Sequence, residues 1–186
     1  MPNWKRNQEP VINSKMKKIT THTVVLLIVS ITLMSAGNPS KSYSLFKVGR
    51  TKDANEIFYD INLTSNGSLN IDNPINIYWI KKTKGGITES LTSIQTKFAY
   101  GVDYLSKNDH SAVFQFVSYD KRTFTLKKDN KGVFRVFTIL KNKEVIVNRI
   151  FVHIVGGSFW FPTVPKVELH ATDLITGTEF TEVIYT

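Results

Sequence analysis

The sequence predicts an all-β fold: a mainly antiparallel barrel or two-sheet sandwich of about nine strands with one short accessory helix. Three observations predict it. Short runs of alternating apolar and polar residues recur along most of the chain. Turn signals such as Asn66-Gly67, Gly85-Gly86, Asp129-Asn130-Lys131-Gly132 and Thr176-Gly177 separate them by a few residues. Aromatics are plentiful, with 12 Phe and 7 Tyr, and many sit beside Val or Ile, as in strands rather than helices.

The elements follow in order. Leu45 to Gly49 is a first strand. Glu56 to Leu63 alternates, with Ile57, Tyr59, Ile61 and Leu63 on one face. Ile75, Ile77 and Trp79 alternate with Asn76 and Tyr78 in a third run. A helix then interrupts the strands. Thr92 and Gln95 fit a capping box, Leu91, Ile94 and Phe98 share one face at helical spacing, and Gly101 suits the C-terminal stop. Two to three turns would cover an end or edge of the sheet. Strands resume at Val102–Leu105, Val113–Val117 and around Phe124 and Leu126. Val133–Leu140 follows the Asp129–Gly132 loop, and Asn142-Lys143 turns the chain into the long run Glu144–Val155. Val167–Leu174 and Phe180–Tyr185 complete the set. Short connections imply antiparallel neighbours. Ile150 to Val155 is apolar on both faces apart from His153, as in a central strand. A meander of hairpins favours a closed or nearly closed barrel over the sandwich.

The N-terminal part is of a different kind. Residues 1–15 are a polar extension. From Met16, Lys17-Lys18 precede the apolar stretch Val24–Met34, and Ser35-Ala36-Gly37 supplies small residues before Asn38. Residues 16–37 therefore read as a signal peptide cut before Asn38. The apolar stretch falls short of the roughly 20 residues of a spanning helix. Membrane contact is expected only through this segment, where it stays uncleaved. Residues 38–186 are expected to form a single β domain.

Composition narrows the function classes. The chain has no cysteine, which excludes disulfides, thiolate metal sites and cysteine nucleophiles. With export expected, this points to the bacterial periplasm or cell envelope. The formal charge is +9, but residues 1–37 hold five basic residues against Glu9 alone, so the remainder is mildly basic and nucleic-acid binding is not expected. There is no nucleophile elbow, phosphate loop or dinucleotide fingerprint, so no cofactor is expected. His110, His153 and His170 lack metal-ligand spacing, so no metal is expected. His110 reads as a turn residue and His153 as a hydrogen-bonded core histidine.

The sites left are binding sites. Phe159-Trp160-Phe161 follows Gly156-Gly157-Ser158, and three aromatics in a row cannot all face one side of a strand. They either plug the end of the core or form a platform for a sugar ring, an apolar ligand, a membrane or a protein partner. Glu168 and His170 share a strand face with Lys166 and Thr172. That is either an ordinary outer face or an acid–base pair lining a polar lumen. Asp173, near a turn, is placed to accept local backbone hydrogen bonds.

Four segments carry a family resemblance: Phe46-Lys47-Val48-Gly49-Arg50-Thr51-Lys52-Asp53-Ala54-Asn55, Asn73-Pro74-Ile75-Asn76-Ile77-Tyr78-Trp79-Ile80, Phe98-Ala99-Tyr100-Gly101 and Glu168-Leu169-His170-Ala171-Thr172-Asp173. In order and spacing the chain resembles the bacterial domain of unknown function 4833, found in exported proteins. The resemblance implies export and one domain, and no activity or substrate. The expected role is a non-catalytic binding or interaction domain of the envelope, with an unknown envelope protein or a small ligand as partner. The alternative is a β-barrel holding a small apolar or sugar-like ligand, and the third is a hydrolase using acid–base residues in a polar lumen.

Overall fold

A computed structural model describes residues 42–158 and 162–186. The expected signal peptide and Phe159, Trp160 and Phe161 lie outside the described residues.

One half of the sheet is β1 (Ser44–Arg50), β2 (Asp53–Ile61), β3 (Ile75–Lys81) and β4 (Ile87–Ser90). The chain then forms α1 (Ser93–Gln95), which widens directly into a π turn (Thr96–Tyr100). The other half is β5 (Val102–Lys107), β6 (Ser111–Phe116), β7 (Tyr119–Lys128) and β8 (Phe134–Leu140), leading into the long β9 (Lys143–His153). The two-residue strands β10 (Gly156–Gly157) and β11 (Pro162–Thr163) pair with each other, and β12 (Lys166–Asp173) pairs with β13 (Glu179–Tyr185). The fold is all-β. Its main path runs β4-β3-β2-β1-β9-β8-β7-β6-β5 and curls into a half-barrel.

β9 is the junction. One of its edges pairs antiparallel with β12 from Val145 to His153. The other is shared: Lys143–Ile146 pairs with β8, and Arg149–Val152 pairs parallel with β1. The parallel pair departs from the expected antiparallel pattern. It joins strands about a hundred residues apart, which no short connection governs. Burial along Ile150–Val155 is also less complete than expected. Ile150 is buried, but Phe151, Val152 and His153 are half-buried and Val155 is exposed, because one face of the strand looks outward.

The core lies between the two halves. The expected alternation holds: Ile57, Tyr59 and Ile61 of β2, Phe114 and Phe116 of β6, and Phe124 and Leu126 of β7 are buried. Phe46 stacks on Tyr59 with ring centroids 4.4 Å apart, and Phe116 of the opposite half meets both edge-on at 6.1 and 5.7 Å. Phe116 also meets Phe124 edge-on at 5.1 Å. Each such pair contributes about 0.5–1.5 kcal/mol beyond its burial.

The turns explain the register. Lys141 and Asn142 both have positive φ (48° and 61°), so the two-residue turn falls one position before Asn142-Lys143. Asp129 Oδ1 accepts from the backbone N–H of Lys131 and Val133, and Asp173 Oδ1 from those of Ile175 and Thr176. These bonds hold both carboxyls below the usual range, with Val133 the leading cause at Asp129 and Thr176 at Asp173. The helix has the expected capping box, with Thr92 Oγ1 accepting from Gln95 N and Gln95 Oε1 from Thr92 N. It makes less α-helix than expected, and Ile94 and Phe98 are exposed rather than packed on the sheet. β4 was not expected: all four of its residues are exposed, so it carries no alternation.

Candidate functional site

Between the β1–β2 layer, the β6–β7 layer and the β12–β13 branch lies a cavity of about 230 Å³. Its walls are built by strand alternation. Val48 from β1, Ile150 and Val152 from β9, Val167 and Leu169 from β12 and Ile184 from β13 contribute aliphatic groups, and Phe116 and Phe124 close its floor. Three hydroxyls on the walls are already committed. Tyr59 donates its hydroxyl to the Tyr100 carbonyl at 2.7 Å, Ser118 donates to the Ala99 carbonyl at 2.7 Å, and Thr186 to the Val164 carbonyl. Burial pushes the Tyr59 hydroxyl well above its ordinary pKa, and neighbouring Tyr100 adds to the effect. What the lining offers a guest is therefore mainly apolar, with the Tyr119 hydroxyl and Arg122 as its remaining polar groups.

One cation reaches this space. Arg122 of β7 lines the cavity, donates through Nη1 to the Ile139 carbonyl at 3.0 Å and pairs through Nη2 with Glu182 of β13 at 2.7 Å. The pair spans the seam between the β7 layer and β13. The Arg122 Nε–H is buried without a hydrogen-bond partner.

A groove of about 420 Å³ adjoins the cavity and shares Ala99, Tyr100, Ser118, Val152 and Val164 with it. The π turn supplies one lip through Ile94, Gln95 and Phe98. The other lip is Ile154, the glycines of β10 and Pro162. Tyr100 stands between groove and cavity, fixed by Arg50, whose Nη1 donates to its hydroxyl at 2.9 Å. Burial raises the Tyr100 pKa, with Arg50 opposing. Arg50 is itself held by Asp53 at 2.5 Å. Gly101 makes the π turn possible for a reason other than the expected C-terminal stop. Its φ is −69°, and an added Cβ would lie 2.0 Å from the Thr96 carbonyl oxygen.

Glu168 and His170 are absent from this lining. They lie on the other face of β12 from the buried Leu169 and Ala171, so they face away from the cavity. There Glu168 accepts from His153 Nε2 at 2.8 Å and Lys166 Nζ at 3.0 Å, with His170 Nε2 at 3.6 Å. Lys166 first, then His153, holds the Glu168 carboxyl below its usual range. His153 is thus hydrogen-bonded as expected, but at the outer face rather than in the core, because β9 and β12 present partners there. His110 is a solvated turn residue beside Asp109. Among the described residues no group of three or more His, Cys, Asp and Glu is arranged to hold a metal ion.

The same outer face carries a second carboxylate that sequence reading passed over. Glu56 is buried and receives Lys82 Nζ at 2.6 Å, Lys47 Nζ at 3.1 Å and Arg149 Nη2 at 3.5 Å. These contacts tie β2 to β1 and β9 across the parallel junction. Its only sequence signal was a polar residue in the alternating run at β2. The cavity had none, because its walls come from seven strands.

A family model described as a domain of unknown function (DUF4833) matches residues 46–183. No curated protein and no solved structure matches the chain.

Proposed function

The chain belongs to this family of domains of unknown function, and on that footing we propose that it is an exported, non-catalytic envelope domain that holds a small apolar ligand in its half-barrel. The observation that carries this reading is the apolar cavity with an adjoining groove. The groove's volume falls within the roughly 300–1,000 Å³ of small-molecule sites. A sugar fits this reading less well, since its hydroxyls need several free partners and the wall hydroxyls of Tyr59, Ser118 and Thr186 donate to backbone carbonyls, which leaves only the Tyr119 hydroxyl and the Arg122 Nε–H among the lining residues. An acid–base mechanism in the lumen is unsupported, because Glu168 and His170 face outward. Export rests on the pattern of residues 16–37.

The test is a solvatochromic apolar dye, such as N-phenyl-1-naphthylamine, titrated into the full chain. Its emission should rise several-fold on binding. Ile184→Trp, which fills the cavity from the edge strand β13, should abolish that rise while the protein stays folded. A dye response unchanged by Ile184→Trp would place the binding elsewhere and sink the reading.

A further inference from the structure

We infer that the groove end of this domain docks against an anionic lipid bilayer, so that an apolar ligand passes between bilayer and cavity without crossing water. The inference rests on the ligand reading above and extends it to a partner. It also differs from the sequence expectations, which put membrane contact at an uncleaved N-terminal segment or at a platform of Phe159, Trp160 and Phe161.

The lips of the groove are apolar on their outer side. Phe98 is 62% exposed, Val155 64% and Ile94 44%. Phe98 and Ile94 come from the π turn and helix on one lip, and Val155 leaves β9 beside the other. None of the three supports the core, so their exposure is not a by-product of packing. They cluster at the end of the molecule where the cavity adjoins the groove.

Charge specifies the kind of surface. Lys97 follows the helix beside Phe98. Lys52 stands in the β1–β2 turn, which is bonded to the end of β9 through Thr51 N–H to the Val152 carbonyl and Ile154 N–H to Thr51 Oγ1. Neither lysine has a carboxylate partner among the described residues, whereas Asp53 at the same end is neutralised by Arg50. Apolar side chains flanked by lysines that lack carboxylate partners, Lys97 with its ammonium 5.4 Å from the Phe98 ring centroid, match a lipid interface bearing negative headgroups. A protein partner would be expected to bring carboxylates and would not explain why the patch borders an apolar cavity.

The absence of cysteine makes the test direct, because any introduced cysteine is a unique labelling site. The full chain carrying Phe98→Cys, and separately Val155→Cys, is labelled with the environment-sensitive fluorophore NBD. Ser65→Cys, in the loop between β2 and β3 at the opposite end, is the control. Phosphatidylcholine vesicles with and without phosphatidylglycerol are added. The expected result is a several-fold, blue-shifted rise at positions 98 and 155 with the anionic vesicles, weakened by salt, and little change at position 65. Tethering through residues 24–34 alone would leave the three labels alike and would overturn the inference. So would a response as strong with uncharged vesicles, or none at positions 98 and 155. Dye binding measured in the unlabelled parent chain separates the two readings: an unresponsive lip beside intact dye binding removes the docking alone. A responsive lip without dye binding removes the cavity ligand and leaves the docking standing.

Discussion

Replacing Glu56 by Gln should weaken the domain in a way that depends on pH. The carboxylate is 6% exposed and gathers Lys82, Lys47 and Arg149 within 3.5 Å. Burial by itself would raise its pKa, but hydrogen bonds from Lys82 and Lys47 outweigh it and hold the carboxyl below the usual range. Removing one partner from a fully buried ion pair costs about 3–5 kcal/mol, and an exposed pair contributes about 0–1 kcal/mol. Here the carboxylate is buried, but the cations keep 37–50% of their side-chain surface and can turn to water. The expected loss is intermediate, about 2 kcal/mol near neutral pH. For a domain of this size that is a fall in Tm of roughly 4–8 °C. The sign with pH follows from the lowered pKa. The stabilisation is complete above the unfolded-state value of about 4.3 and fades as pH drops through the lower folded-state value. Urea titrations of parent and Glu56→Gln at neutral pH and at successively lower pH should therefore converge. The other carboxyls with depressed values, Asp53, Asp129, Glu168 and Asp173, weaken both proteins in acid and cancel in the difference. A gap that stays constant as pH falls below about 4, or no gap at neutral pH, would refute the electrostatic account of this junction.

Three further substitutions probe the cavity wall and the lip of the groove. Gly101→Ala should cost at least about 2 kcal/mol and weaken dye binding, since its Cβ meets the Thr96 carbonyl and shifts Ala99 and Tyr100. Gly156→Ala, with open space around it, should stay within about 0.5 kcal/mol of the parent by denaturant midpoint. Tyr59→Phe leaves the Tyr100 carbonyl without its donor and should cost about 1–3 kcal/mol in urea unfolding with no change in m-value. Because Tyr59 and Gly101 both anchor Tyr100, the double variant should lose less than the two single losses combined; strict additivity would show that the two do not share that segment.

What was legible in the sequence was what a few consecutive residues decide. Period-two alternation placed Ile57, Tyr59 and Ile61 inward, and Phe114 and Phe116 likewise, because strand geometry sends every second side chain to the same face. The Thr92–Gln95 box and the Asp129 and Asp173 turns were legible for the same reason, as their partners lie within four residues. The parallel pairing of Val48 with Ile150 was not, since nothing local in either segment names the other. Alternation also showed that Glu168 and His170 share a face of β12, but only the assembled sheet shows that this face is the outer one. Phe98 illustrates the same boundary. Its helical spacing with Ile94 was read correctly, yet the direction of that apolar face depends on where the π turn leaves the sheet.

The cavity follows from the shared edge of β9. A strand that gives one edge to β8 and then to β1 forces those two layers apart, while β12 and β13 continue from its other edge. The layers diverge at the Arg149–Val152 end, where Val48, Ile150 and Val152 line the cavity. Protein interiors are ordinarily close-packed, so space retained there has a cost. A dry cavity of about 230 Å³ would forfeit on the order of 5 kcal/mol at roughly 24 cal/mol per Å³, an upper bound for a space that adjoins a groove. Water would recover only part of it, because the wall hydroxyls of Tyr59, Ser118 and Thr186 already donate to carbonyls, which leaves the Tyr119 hydroxyl and the Arg122 Nε–H, and an ordered water needs two to four partners. An apolar guest recovers the lost dispersion contacts without asking for hydrogen bonds. The fork that makes β9 the hub of the fold is thus also what makes an apolar occupant the stabilising one.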